Sequence, residues 1–495
     1  MKTVAGIDLG TQSMKVVLYD FKAKKIVESS SCPMDLISES DGTREQKAEW
    51  FKDGLQKCFA DLSSEGKGTI QALGVSGQQH GFVPLDEAGE ALYNVKLWND
   101  TSTAAECKEI TKALGGAVVA ESHVQNHILP GFTAPKILWL KNHKPDLFAR
   151  LAYIMLPHNY LNYLLTGCYT AEPGDASGTA LFNSIRGVWS KKACGTIDSS
   201  LYDKLAPLIK SDEAAGTVSH EAALWLDLPE GVPVSSGGGD NMMSAIGTGA
   251  VKDGVLTMSM GTSGTLYGAS ASPVSAPENG ISGFCSSTGG YLPLLCTMNC
   301  TVASEELRSL LGLSVKEFDE EAAKAPAGSD GVYVLPFFNG ERTPNLPHGR
   351  ASITGLTAAN SSRANVARAA LEGAVFSMRG GLDSFKNRGF CPTELRVTGG
   401  GSKSAVWRQI VADVMNLPVK VPTSSEAAAL GAALQALWCL KHTQGENVSI
   451  EAIVDEHVAI DEAKSAFPTK ENVQVYGEAF KGYQKLVEQL SPLYK

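Results

Sequence analysis

The feature that most restricts the fold of this chain is a local pattern that occurs twice. GIDLGTQSMKVVLYD (6–20) and LTMSMGTSGTLYGAS (256–270) each place a Gly-Thr turn, with a small polar residue after it, between two apolar strands. A chain of 495 residues also exceeds what one core serves, because cores stop growing at about 250 to 300 residues. The two facts together point to an internal duplication with a boundary near residues 245–253, although Gly-Thr turns between strands also arise without one. The first copy raises a chemical question. Its strand carries Asp8, and a carboxylate in a buried strand is costly unless something compensates its charge. Asp8 is therefore either a satisfied structural acid or part of a site.

The rest of the chain reads as α/β. Strand-like segments at 3–8, 14–20 and 71–76 precede PKILWLKNHKPDLFARL (135–151), where apolar residues recur at helical spacing. TELRVTGGGSKSAVWRQIVADVMNLPVKVP (393–422) reads as strand, triple-glycine turn, helix and strand, with Ser402 placed to cap the helix. SSEAAALGAALQALWCL (424–440) is a small-residue helix able to lie close to a sheet or a ligand. Three units are expected: 1–248, 249–440 and a helical appendage over 441–495 in which no chemistry is legible.

Composition narrows the function classes. A formal charge of -10 and a pI near 5.5 leave no basic face for a nucleic-acid backbone. The ten cysteines stand singly, with no CxxC pair and no histidine cluster at zinc spacing, so they read as reduced, buried thiols. Asp8 arrives before any long apolar run can form, and no later stretch sustains about 20 apolar residues. A soluble, cytoplasmic protein without membrane partners is expected.

Familiar nucleotide signatures are missing. No GxxxxGK[ST] occurs, and the triple-glycine runs at 237–239 and 399–401 fail GxGxxG because Met242 and Ser404 take the last glycine position. Three turns nevertheless follow strands and present backbone N–H groups able to cradle phosphate: Gly10-Thr11-Gln12-Ser13, Gly261-Thr262-Ser263-Gly264 and Gly399-Gly400-Gly401-Ser402. Each alone is equally a structural turn. PVSSGGGDNMMSAIGTG (233–249) puts Asp240 and Asn241 where a helix begins. Helix capping needs an acid there but not three glycines, whereas a close approach by substrate would use them. LGVSGQQHGFVPLD (73–86) brings Gln78, Gln79 and His80 to a strand end, equipment for a polyhydroxylated substrate, and LWNDTST (97–103) adds Trp98 and Asp100.

In this order GIDLGTQ, SGQQHG, WND, PGFTAPK, GGGDN, MGTSG, FNGERTP, LEG and GGGSKSAVWRQIVAD resemble the FGGY family of carbohydrate kinases, from the first residues to about residue 440. The resemblance implies two ribonuclease-H-like domains of the actin, hexokinase and sugar kinase superfamily, with ATP and sugar in the cleft between them. It implies an ATP-dependent ketose kinase, with D-xylulose the expected acceptor; ribulose, sedoheptulose or a polyol are rivals, as is a non-catalytic actin-like sugar sensor. Asp240 then matches the general base, and Asp8 the acid that helps place magnesium (Mg2+), with Asp240 also near the metal. Gln79, His80, Asn241, Trp98 and Asp100 fall to the sugar. Gly10, Thr11, Gln12, Gly261, Thr262, Gly400, Gly401 and Ser404 fall to ATP. Glu341 and Arg342 of FNGERTP receive no catalytic role, and a homodimer is a further implication. One position departs from the pattern: family members acting on the ketopentose often carry methionine where this chain has Gln79, which leaves the identity of the sugar open.

Overall fold

The computed structural model describes residues 1–494 and contains two sheets with one plan. The first holds β1 (Thr3–Leu9), β2 (Ser13–Asp20), β3 (Lys25–Pro33), β4 (Ile70–Gly77), β5 (Ala214–Thr217) and β6 (Pro233–Ser235) in the order β5-β6-β4-β1-β2-β3, with the two-residue β7 (Gly238–Gly239) also on β4. The second holds β8 (Val255–Met260), β9 (Gly264–Gly268), β10 (Ile281–Cys285), β11 (Tyr291–Thr297), β12 (Glu394–Thr398) and β13 (Val419–Lys420) in the order β10-β11-β9-β8-β12-β13. In each, a hairpin across the Gly-Thr turn continues antiparallel into a third strand, while its first strand pairs in parallel with a strand far along the chain: β1 with β4, and β8 with β12. The pairs Leu9↔Met14 and Met260↔Gly264 close the two hairpins, so the first turn is one residue longer. Apart from Asp8 every residue of β1 is buried, as parallel pairing under helices requires.

The halves meet through two helices. α1 (Asp240–Thr248) ends the first half, and α2 (Ala427–Thr443) returns from the second half to pack on α1 and on the face of β1 and β4. Four glycines permit this. A Cβ would lie 1.9 Å from Ala429 O at Gly6, 2.0 Å from Ala432 O at Gly74, 1.9 Å from Ala427 O at Gly247 and 1.8 Å from Met243 O at Gly431. The small-residue pattern of 424–440 is thus spent on backbone contact with the first sheet and α1.

Two readings of the sequence need correction. The helical pattern at 135–151 is two helices, Thr133–His143 and Pro145–Ala149, divided at Lys144 because the residue before a proline is driven out of the helical region. Residues 441–494, expected as part of an appendage, pack into the body of the protein: the helix Lys470–Leu490 buries Tyr476, Phe480 and Tyr483 in the core of the second domain, and the Tyr476 hydroxyl donates to Glu372 at 2.7 Å. All ten cysteines are free thiols. Among the described residues, no helix is long and apolar enough to cross a membrane.

Candidate active site

Two carboxylates come to one end of the first sheet. Asp8, next to last in β1, accepts a hydrogen bond from Ser76 Oγ at 2.7 Å. β7 pairs with Ser76 and Gly77, so the first residue of α1, Asp240, emerges at the same end of the sheet. Burial raises the Asp8 carboxyl to about 6; burial, and then the charge of Asp8, raises Asp240 to about 7. Asp240 Oδ1 is oriented by the backbone N–H of Asn241 at 2.7 Å and by Asn241 Nδ2 at 2.9 Å. The three glycines before it serve the protein and not a substrate approach. Gly237 sits at φ +72°, a Cβ on Gly238 would lie 2.3 Å from Ser287 Oγ, and one on Gly239 would lie 2.6 Å from Gln79 Cγ.

Gln79 and His80 leave β4 beside Asp240. The Gln79 side chain is turned inward: Oε1 accepts from Asn241 Nδ2 at 2.7 Å and Nε2 lies 3.1 Å from Met242 Sδ. The expected sugar-facing amide therefore braces Asn241, the neighbour of Asp240. Gln79→Met should remove one of the two bonds Asn241 Nδ2 makes, worth about 1 kcal/mol. Steady-state kinetics should show about a fivefold change in ketose KM, with kcat held within about twofold. His80 is buried with its ring against Phe132 and Phe284.

WND divides. Trp98 Nε1 donates to Thr11 Oγ1 at 3.0 Å and so holds the first Gly-Thr turn. Asp100 is fully buried; Oδ2 accepts from the Arg44 backbone N–H at 2.9 Å and from Lys96 Nζ at 3.2 Å, and Oδ1 from the Ser102 N–H and hydroxyl. With both oxygens used inside the protein, Asp100 is a support of this loop and is corrected from a sugar contact.

Gly10, Thr11 and Gln12 line the opening in the first turn, and Gly261 and Thr262 in the second. Among the described residues, the backbone N–H groups of Thr11, Gln12 and Thr262 have no protein acceptor, the donor set an anion requires. Lys15, opposite Asp8 in the hairpin register, ion-pairs with Glu426 just before α2. At the third turn Gly400 is exposed, with open space where a Cβ would stand, whereas Gly401 is covered by the Trp407 ring. Ser404, expected to touch the nucleotide, caps the helix Ala405–Met415 by accepting from the Trp407 N–H at 3.1 Å. Ser402, expected as that cap, donates to Gly399 O instead.

Several residues have supporting roles that the sequence does not reveal: Gln46 and Lys136 draw no notice there, Gln78 reads as facing the substrate, and Glu341 receives no catalytic role. Gln46 and Gln78, both fully buried, lock the first turn: Gln46 Nε2 donates to Thr11 O at 2.9 Å, Thr11 Oγ1 to Gln78 Oε1 at 3.0 Å and Gln78 Nε2 to Gln46 Oε1 at 2.7 Å. Lys136, in PGFTAPK, donates to His80 O and Gly131 O, and burial lowers its ammonium to about 7. Glu341 accepts from the Met298 N–H and Asn299 Nδ2; the next residues, Cys300 and Thr301, donate to Thr262 O and Gly261 O. Its loop therefore braces the second turn. For Gln78, Lys136 and Glu341 the signal is motif membership; Gln46 carries none, since its partners Thr11 and Gln78 lie more than thirty residues away.

This geometry can be set beside known proteins. The model of the FGGY family of carbohydrate kinases, N-terminal domain, matches residues 3–247, and that of its C-terminal domain matches residues 256–440. A xylulose kinase of Haemophilus influenzae is 40% identical to this chain, covering 99% of each. The structure of ligand-bound xylulose kinase from Lactobacillus acidophilus matches with a TM-score of 0.91 at 25% identity, covering 100% of this chain and 99% of that one. A gluconate kinase from the same organism matches with the same TM-score, identity and coverage, so the fold alone does not select the sugar. The two ribonuclease-H-like domains expected from the resemblance are the observed architecture. With both family domains present in order and a full-length relative at this identity, the chain belongs to the FGGY family of carbohydrate kinases.

Proposed function

We propose that this kinase transfers the γ-phosphoryl group of ATP to O5 of D-xylulose, with Asp240 as general base. The observation that carries the chemistry is the Asp8–Asp240 pair, two acids raised into the neutral range on either side of Ser76. The choice of sugar is supported by the 40% identity, over 99% of each chain, to a xylulose kinase. In phosphoryl transfer the protein supplies positioning and electrostatics more than covalent chemistry. Asp240, held by Asn241, takes the hydroxyl proton as the sugar oxygen attacks. The two Gly-Thr turns, one from each half, hold the phosphate oxygens, and His80 and Asn241 orient the ketose. Gly10, Thr11, Gln12, Gly261 and Thr262 are the residues assigned to the phosphates, and Gly400 to the adenosine side.

The donor set fits magnesium. Mg2+ is bound by one or two carboxylates together with substrate phosphates, not by a protein cage; among the described residues no group of three potential ligands exists, while Asp8 and Asp240 supply two carboxylates at the same end of the first sheet. Bound there by Asp8 and Asp240, magnesium would neutralise phosphate charge. A cytoplasmic homodimer completes the proposal and is checked by sedimentation.

A base must be ionised, so kcat/KM for the ketose should fall on the acid side as Asp240 gains its proton, a point set at about 7 by burial and Asp8 in the metal-free protein and lowered by bound magnesium, and level off above it. Product analysis tests the reaction itself. 31P NMR of a D-xylulose reaction should show one phosphate monoester at C5 for each ADP formed; ADP without the ester, or an ester at another carbon, overturns it.

A further inference from the structure

His80 is fixed by its surroundings. Its backbone sits at φ +61°, a region that a residue with a side chain enters only when its neighbours over-determine it. Its N–H donates to Asp175 Oδ1 at 3.1 Å, and its C=O accepts from Lys136 Nζ at 2.7 Å and Thr133 Oγ1 at 3.1 Å. The ring lies against Phe132 and Phe284, with centroids 5.1 and 5.2 Å away, and over Gly178, where a Cβ would come within 1.8 Å of Cε1. Its Nδ1 faces Asp175 Oδ1 at 3.0 Å.

Asp175 is fully buried, and among the described residues no lysine or arginine pairs with it. Its second oxygen lies 3.3 Å from the Nδ1 of buried His158, close enough for charge to be felt but out of line for a hydrogen bond, and neither atom has a hydrogen-bond partner. On the far side of that ring, Asn159 Nδ2 stands 2.8 Å from Nε2, and an amide nitrogen only donates, which puts the His158 proton on Nδ1. Glu172 is 4.0 Å from the same Nε2, beyond hydrogen-bond reach, and its oxygens take the Gly174 and Asp175 N–H groups and the Ser287 hydroxyl. Burial pushes the Asp175 carboxyl up, but the neighbouring His158 and His80 outweigh it and hold it near 2; burial holds the His80 imidazole below the usual histidine range. An ionised carboxylate oxygen only accepts, so the 3.0 Å contact with His80 Nδ1 requires the proton on that nitrogen.

We propose that Asp175, backed by His158, is a positioning residue that fixes the His80 proton on Nδ1, so that Nε2 meets the ketose as an acceptor alone and selects a sugar hydroxyl that donates to it. This rests on the reading above that the ketose lies against His80. A chain in which Asp175 only filled space would leave the tautomer free.

The first test uses the full-length, sugar-free protein labelled with 15N-histidine. Two-bond 1H–15N spectra of the imidazoles, with His80 assigned by the signals lost in His80→Gln, should show Nδ1 protonated and Nε2 bare. A protonated Nε2 on a neutral His80 overturns the proposal, and because no sugar is present the result stands whichever ketose proves to be the substrate. The second test is Asp175→Asn, assayed with the ketose that wild type turns over fastest. Ketose KM should rise about tenfold or more, with KM for ATP unchanged, the loss expected when a buried polar contact is misdirected. A folded variant with wild-type ketose KM overturns it, and if the variant does not fold the wild-type spectrum decides.

Discussion

Asp240→Asn should lower sugar-dependent ADP release by about 10²- to 10⁴-fold, the range a positioned general base contributes, while the protein stays folded. An asparagine keeps an oxygen for the Asn241 N–H at Asp240 Oδ1 but cannot take a proton. The same substitution should raise the melting temperature of the ligand-free protein. The Asp240 carboxyl is lifted from 3.8 to about 7 by burial and by Asp8, so between those values the folded state holds a proton that the unfolded state has released, and stability falls as pH rises. At pH 8 wild type carries the whole penalty and the variant none; towards pH 4 the difference should close. Thermal melts of both proteins across this range check it, and a variant that melts lower than wild type at pH 8 would contradict it. Loss of activity with gain of stability is the pattern of an acid kept for chemistry.

Gly431→Ala should have a large structural effect. The new Cβ would stand 1.8 Å from Met243 O, a backbone atom that no rotamer change moves aside, and Gly247 N lies 2.9 Å away. Overpacking of this kind costs about 1 to 3 kcal/mol where side chains can yield, and here two helices must separate. α1 carries Asp240 at its start, so activity should fall together with stability. Gly400→Ala is the control, since nothing lies within 4 Å of its added Cβ. Denaturant midpoints should drop clearly for the first and stay near wild type for the second; equal midpoints would mean that the helices do not depend on this contact.

What could be read from the sequence had local causes. The two Gly-Thr hairpins were visible because each is complete within about fifteen residues, Asp8 stood out as an acid inside an apolar strand, and Asp240 as an acid after three glycines. Long-range geometry was hidden. The side chain of Gln79 looks available for a sugar, but whether it points to the cleft depends on Asn241, more than a hundred residues later. The triple glycine before Asp240 suggested room for substrate, and Ser287 and Gln79 fill that room. Asp175 drew no notice because its meaning comes from His80 and His158, neither adjacent to it. The appendage misread has the same origin: nothing in the helix Lys470–Leu490 announces that Tyr476 completes a buried network with Arg368 and Glu372.

The most direct test of the central claim is coupled ADP release with ATP and magnesium over D-xylulose, D-ribulose, L-ribulose, sedoheptulose and glycerol, with Asp240→Asn measured alongside. Turnover should be highest on D-xylulose and nearly vanish in the variant. Release that no sugar stimulates, or that persists at the wild-type rate in Asp240→Asn, would contradict a ketose kinase that uses Asp240 as its base.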